Sequence, residues 1–394
     1  MEKDSRLKPY LLCIFSYFVL GCMVLTINTI NSSIITEYGW KDSQGALLIT
    51  FMAIGNLFMS IVGNLFTDKI GRNRALALYI LMAAGGLGIM SILHTPGLYY
   101  FLMLLVGFAW GGINTLVNTV PTELYNGSSS RLNIMHACYA IGAVLFPLIV
   151  GFMLKHGLSW RAPVWVVLLL FAIQLLSTFL VRLPTSMASE RSKSKDKKTF
   201  AFWKELSFYL STLTFLFYVG VESAISTWLS PYLAQENAFF ATVPAQTMVS
   251  LMWLMLLIGR LVFSALGTRI PSKPLLVFLS TGFLLGILGL FFFGRITSLA
   301  ILSVILTGLS MSAVYGVAVS VGARYVKASA VASGIMFGAG GFGSAIIPYI
   351  SGLVSDASCL RAGILSLSVF LTLLLLSSIA NLRTATNDSS DSLS

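Results

Sequence analysis

The stretch GNLFMSIVGNLFTDKIGRNRAL, residues 55–76, joins two apolar runs through one short charged turn. A glycine-spaced apolar run ends at Asp68, and a second apolar run begins directly after Arg74. A spanning helix needs about 20 mostly apolar residues, and a turn this short cannot leave the membrane surface. The stretch therefore predicts a tight hairpin of two spanning helices, with Asp68, Gly71, Arg72 and Arg74 at the interface.

The composition of the whole chain is that of a membrane protein. Of its 394 residues, 57% are hydrophobic and only 10% are charged, whereas soluble domains carry about 25% charged residues. The sequence predicts an all-α protein with twelve transmembrane helices. The predicted spans are roughly 9–31, 44–66, 75–93, 98–120, 131–154, 163–182, 204–234, 244–267, 273–294, 298–322, 328–355 and 361–382.

The net charge of +11 is spread over alternate loops, which is typical of a membrane topology signal and not of nucleic-acid binding. If the N-terminus lies inside, the inner loops and termini hold nineteen Lys and Arg residues, and the outer loops hold five. The positive-inside rule then predicts a multi-pass protein of the plasma (inner) membrane with both termini in the cytoplasm.

The two halves of the chain are related by an internal repeat. Glycine and proline positions of two spans recur 201 residues later: Gly107, Gly142, Pro147 and Gly151 return as Gly308, Gly343, Pro348 and Gly352. Such a repeat predicts two six-helix bundles of parallel topology. The predicted domains are an N-terminal bundle, a basic cytoplasmic linker, a C-terminal bundle and a disordered cytoplasmic tail, at residues 1–182, 183–203, 204–382 and 383–394.

The charged turn resembles the loop between helices 2 and 3 of the major facilitator superfamily, whose usual pattern is Gly-x-Leu-Ala-Asp-Arg-x-Gly-Arg-Lys. The sequence departs from that pattern at Asn64, Phe66 and Asn73. The resemblance implies two pseudo-symmetric bundles that rock about a midplane cavity in alternating access. It also implies that Asp68, Gly71, Arg72 and Arg74 belong to a cytoplasmic gate.

Glu222 is the only carboxylate well inside an apolar run, FLFYVGVESAISTWLSPYL. A charged side chain at the bilayer centre costs about 2.5–3.5 kcal/mol on insertion scales, so such groups mark function more often than chance. We therefore predict that Glu222 responds to protons, although a neutral Glu that bonds a neighbouring helix stays an alternative. His136 is a second predicted proton-coupling residue, because the imidazole titrates near neutral pH.

The segment YVGVE, residues 218–222, followed by Trp228, resembles the seventh helix of the fucose-permease-like sugar:proton symporter branch. Residues 133–151 resemble the fifth helix of that branch. The best-known sugar symporter of the branch has acidic residues in helices 1 and 4, where this sequence has only amides. The predicted substrate cavity is lined by amides and aromatic side chains: Asn28, Trp110, Asn114, Asn118, Asn133, Tyr218, Trp228, Trp253 and Tyr315.

Arg260 is the one cation inside an apolar run, and we predict that it belongs to the cytoplasmic gate. The sequence thus predicts a secondary active transporter for a small polar organic solute such as a sugar, driven by proton symport. A proton-driven efflux antiporter for amphipathic compounds and a transporter-like membrane sensor stay open.

No nucleotide-binding loop, metal-ligand spacing or hydrolase motif is found, so neither an enzymatic activity nor a cofactor is predicted. The predicted partners are a small-molecule substrate, protons and the lipid bilayer, with no nucleic acid. The predicted state is a monomer.

Overall fold

A computed structural model of the chain describes residues 2–125, 129–184, 201–266, 270–322, 325 and 330–390. Within these ranges the chain is helical and contains no strand. The long helices, labelled α1 to α12 in chain order, are Glu2–Tyr38, Asp42–Ile70, Arg72–Ile92, Pro96–Leu124, Ser129–Lys155, Arg161–Leu180, Leu206–Glu236, Gln246–Leu266, Ser272–Phe293, Thr297–Val321, Ala330–Ala357 and Leu360–Ser390.

Twelve helices in the described part of the chain are long and apolar enough to cross a membrane. This confirms the predicted fold class and the number of spans. Both ends of α1 differ from the predicted span: the helix starts before residue 9 and continues past residue 31 to Tyr38. The helix is therefore longer than its apolar part, because polar residues such as Glu37 also have a high helix propensity.

The chain divides into two compact units, each with its own helix pairing. In the first unit α1 packs against α5 and α6, and α3 packs against α4 and α6. In the second unit, which includes Lys41–Ser43, α7 packs against α11 and α12, and α9 packs against α10 and α12. The pairs correspond one to one when six is added to each helix number, which is the internal pseudo-symmetry that the repeat predicted.

Close helix crossings use the repeated glycines. A Cβ atom at Gly107 of α4 would overlap the backbone carbonyl of Met52 in α2. One repeat later, a Cβ atom at Gly308 of α10 would overlap the backbone carbonyl of Met252 in α8. Small residues at such crossings let two membrane helices approach closely, which explains why both copies keep glycine here.

The described residues at both edges of the predicted linker include buried side chains, and α12 extends into the predicted tail. Leu183 and Phe202, near the two ends of the linker, are both buried, whereas residues 185–200 lie outside the described residues. At the other end of the chain, α12 is described to Ser390, and the disordered tail predicted from residue 383 stays a prediction. The sequence after Arg383 contains no Gly or Pro that would end a helix already formed.

Candidate functional site

Two asparagine side chains on α4 bond each other, as their spacing of four residues predicts. The Asn118 amide nitrogen Nδ2 donates to the backbone carbonyl of Asn114 at 2.8 Å. It also lies 3.1 Å from the side-chain oxygen Oδ1 of Asn114. Both residues are half-buried. The pair is therefore a preformed polar patch within the first unit.

Tyr17 of α1 completes this patch. Its hydroxyl donates to Asn114 Oδ1 at 2.9 Å and accepts from Asn118 Nδ2 at 3.3 Å. The Tyr17 side chain is buried, with 6% of its surface exposed. Tyr17 was not among the predicted site residues, because the sequence does not show whether a tyrosine inside an apolar run only packs or also forms hydrogen bonds.

The imidazole of His136 joins the same cluster through a ring contact. Its ring meets the Tyr17 ring edge to face, with centroids 5.1 Å apart and planes at 88°. The structure therefore brings together Asn114, Asn118 and His136, which were predicted separately. The side chain of Asn133, a further predicted cavity residue on α5, lies outside the described residues.

Two other predicted cavity residues of the first unit are Asn28, which lies away from the cluster, and Trp110, which lies beside it. Asn28 lies eleven positions after Tyr17 on α1, which corresponds to about 16 Å along the helix axis. Asn28 is buried, and its Oδ1 atom has no partner among the described residues. Trp110 is half-buried one turn before Asn114 on α4, so it lies next to the amide pair.

Glu222 lies on α7 in the second unit and is half-buried. The Tyr218 side chain lies one turn earlier on the same helix face, and the charge of Arg260 on α8 is close enough to interact electrostatically with the carboxyl group. Arg260 is itself held by a hydrogen bond from its Nε atom to the backbone carbonyl of Ser312, at 3.3 Å. The structure thus groups Arg260 with Glu222, while the gate role predicted for it stays a prediction.

The aromatic residues predicted around Glu222 differ in exposure. Tyr218 is enclosed, with 1% exposed, and donates its hydroxyl to the backbone carbonyl of Met311 at 3.1 Å. Tyr315 is 39% exposed and stacks on Phe337 with ring centroids 6.3 Å apart. Of these two tyrosines, Tyr315 is therefore the exposed one.

The two predicted cavity tryptophans of the second unit are packed inside it. Trp228 is 1% exposed and donates its indole N–H to the backbone carbonyl of Pro348 at 3.3 Å. Trp253 is 4% exposed. In this conformation both rings therefore contribute packing and do not form an open binding surface.

The charged turn between α2 and α3 is built around Arg72. Gly71 has φ of +86°, which favours glycine and sharply reverses the chain. Arg72 is buried and bonds Glu123 of α4 at 2.7 Å and the backbone carbonyl of Pro184 at 3.1 Å. Asp68 and Arg74 are exposed. Arg72 is thus the turn residue that holds the first unit together at this end.

Asn73 explains one departure from the family pattern. Its amide nitrogen donates to the carbonyls of Thr178 and Val181, both at 2.7 Å, and its oxygen accepts from the Leu183 backbone N–H at 2.9 Å. A lysine could not accept the last of these bonds. The amide therefore satisfies backbone groups at the end of α6, where a charged side chain would leave one unpaired.

Comparisons with known proteins agree on one family. A family model described as Major Facilitator Superfamily matches residues 13–348. The chain is 21% identical to Protein TsgA of Shigella boydii serotype 18 over 330 residues, which cover 83% of this chain and 82% of that protein. Protein TsgA of Escherichia coli O157:H7 is also 21% identical over the same coverage.

Solved structures share the fold at low identity. A mutant of the nucleoside transporter NupG matches with a TM-score of 0.81 and 16% identity, covering 95% of this chain and 99% of that chain. The peptide transporter POT in complex with sulfate matches with a TM-score of 0.77 and 15% identity, covering 96% and 94%. A bacterial homolog of the human lysosomal transporter Spinster matches with 0.76 and 14%, covering 95% and 96%.

Proposed function

Because the chain belongs to the major facilitator superfamily and is a multi-pass membrane transporter, we propose that it moves a small polar organic solute together with protons. The observation that carries this proposal is the group formed by Glu222, Tyr218 and Arg260 in the second unit. A carboxyl group beside one phenol and one guanidinium can hold or release a proton without leaving an isolated charge in an apolar helix.

The cluster of Tyr17, Asn114, Asn118 and His136 supports a polar and uncharged solute, such as a sugar. Amide groups offer hydrogen bonds of both kinds without a net charge. Among the structural relatives, one is named a nucleoside transporter and another a peptide transporter. A solute that carries hydroxyl or amide groups fits both the cluster and these relatives.

The transporter acts in the plasma (inner) membrane, with both termini in the cytoplasm, and works as a monomer. The asymmetry of nineteen against five basic residues supports this orientation. In this orientation the Arg72–Glu123 pair lies on the cytoplasmic side, where a gate would close. The similarity to the fucose-permease-like branch supports a sugar and stays a prediction.

Solute uptake into proteoliposomes with an imposed pH gradient tests the proposal. The panel contains D-galactose, uridine, a dialanine peptide and the hydrophobic cation tetraphenylphosphonium. We expect one of the three polar solutes to accumulate when the outside is acidic, and to equilibrate without accumulation when a protonophore removes the gradient. Empty liposomes provide the control.

The other hypotheses predict different results in the same assay. Extrusion of tetraphenylphosphonium against its gradient, without accumulation of any polar solute, would replace symport by efflux antiport. Binding of a solute without any flux would favour a membrane sensor. Neither result is compatible with the proposed symport.

A further inference from the structure

The amides of Asn114 and Asn118 have a single possible orientation. A backbone carbonyl only accepts hydrogen bonds, so the Asn118 atom 2.8 Å from the Asn114 carbonyl is the amide nitrogen. That nitrogen lies 3.1 Å from the side chain of Asn114, so the Asn114 atom facing it is the oxygen. Tyr17 must then donate its hydroxyl hydrogen to this oxygen, at 2.9 Å.

The same chain of bonds leaves one donor and one acceptor unused. The NH2 group of Asn114 and the side-chain oxygen of Asn118 bond no described residue. Neither of these two atoms is among the fully buried polar atoms that lack a hydrogen-bond partner in the described part of the chain. Side chains four residues apart on a helix are neighbours, with Cβ atoms about 5–6 Å apart. The half-buried pair therefore presents a donor beside an acceptor.

We propose that this pair binds two adjacent hydroxyl groups of a neutral solute, and that Tyr17 is the positioning residue that fixes the polarity of the pair. One solute oxygen accepts from Asn114 Nδ2, and the neighbouring hydroxyl donates to Asn118 Oδ1. The inference rests on the proposed function and narrows its substrate class to neutral solutes with a vicinal diol.

Charged solutes fit the pair poorly. An anion would bond the NH2 group of Asn114 but would face the oxygen of Asn118, which only accepts. A cation would bond that oxygen but would face the donor of Asn114. A vicinal diol satisfies both amides at once, because each hydroxyl can donate and accept.

Tyr17 acts through the amides and not on the solute. Its side chain is 6% exposed, and its ring packs against the rings of His136 and Tyr139 with centroids 5.1 and 5.6 Å away. When the Tyr17 hydroxyl is removed, the Asn114 side-chain oxygen keeps only the 3.1 Å hydrogen bond from Asn118. The amide can then turn over, and the donor no longer points consistently toward the solute.

The experiment compares a diol with its deoxy analogue in proteoliposomes. Initial rates are measured for uridine and 2′-deoxyuridine, and for a galactose pair, methyl α-D-galactopyranoside and its 3-deoxy analogue, which has no two adjacent hydroxyl groups. We expect the wild type to prefer a diol by about tenfold in KM, which corresponds to one hydrogen bond. Tyr17→Phe should remove most of that preference by raising KM for the diol, with kcat and the KM of the deoxy analogue little changed.

Asn114→Leu gives an independent test of the pair. Leucine has a similar size but removes both the donor offered to the solute and the oxygen that Tyr17 bonds, so the diol preference should again fall about tenfold. Thr119→Val is the matched control. Thr119 lies on the same helix and bonds only the carbonyl of Thr115, at 2.8 Å, so the preference should persist.

The outcomes separate this inference from the proposed function. Uptake in which both variants keep the wild-type preference would overturn the inference and leave proton symport standing. A wild type that transports only solutes without a diol would do the same. Absence of any solute transport would overturn both.

If the variants fail to fold, the inference can still be tested by a measurement on the wild type alone. The purified protein is heated with uridine or with 2′-deoxyuridine, since at equal concentration the ligand that binds more tightly raises the melting temperature more. We expect larger stabilisation by the diol of this pair or of the galactose pair. Equal shifts within both pairs, or no shift from any of the four compounds, would overturn the inference.

Discussion

Proteoliposomes with Glu222→Gln will exchange solute but will not accumulate it against a gradient. Glutamine keeps the shape of the side chain and can still form hydrogen bonds, but it cannot take up or release a proton. A pH difference of one unit supports about tenfold accumulation when one proton accompanies each solute molecule. In the variant this ratio should fall to about one, whatever the imposed gradient.

Glu236→Gln on the same helix is the matched control for this prediction. Glu236 lies at the end of α7 and pairs with Arg295, whose side chain is 69% exposed. Exposed ion pairs contribute little to stability. This variant should therefore accumulate solute as the wild type does. Full accumulation by Glu222→Gln would contradict the proton role of Glu222 and would direct attention to His136.

Arg72→Leu will strongly destabilise the protein. The Arg72 and Glu123 side chains are 5% and 16% exposed, and the nitrogen and oxygen atoms of the pair lie 2.7 Å apart. Removing one partner of a buried pair costs about 3–5 kcal/mol, because the other charge is left uncompensated. We expect a clear fall in the melting temperature of the purified protein.

Two variants control this prediction. Arg74→Leu removes the next cation of the same turn, but Arg74 is exposed, so the melting temperature should change little. Arg72→Leu combined with Glu123→Leu removes both charges and should recover much of the lost stability. Equal melting temperatures for Arg72→Leu and Arg74→Leu would show that the pair does not hold α3 to α4.

The fold was predictable because the bilayer imposes a simple pattern on the chain. Twelve apolar runs, a charged turn at Gly71 and a glycine repeat near 200 residues were sufficient for the architecture. Gly107 and Gly308, which the repeat relates, lie at corresponding helix crossings in the two units, as expected of duplicated helices. These signals are periodic or local, and they can therefore be read along one sequence.

The site was only partly predictable, because it depends on how each helix is rotated. The four-residue spacing of Asn114 and Asn118 indicated one shared face. In contrast, the contribution of Tyr17 depends on the approach of α1 to α4, which no spacing encodes. The grouping of Arg260 with Glu222 likewise joins two helices that are apolar on most sides.

Pairs between distant charges show the same limit. Glu37 accepts two bonds from Arg161, both at 2.8 Å, although the two residues are far apart in sequence. The sequence placed each of them near a span end but gave no reason to pair them. The spatial proximity of α1 and α6 makes this contact, and that proximity follows from packing.

Proton symport requires that entry of the solute itself moves protons into the vesicle. A pH-sensitive dye is trapped inside wild-type proteoliposomes, no gradient is imposed, and the polar solute identified by the uptake panel is added outside. Symport predicts that the interior acidifies as the solute enters and that a protonophore removes the signal. Entry of labelled solute without a pH change, or with alkalinisation of the interior, would contradict proton symport.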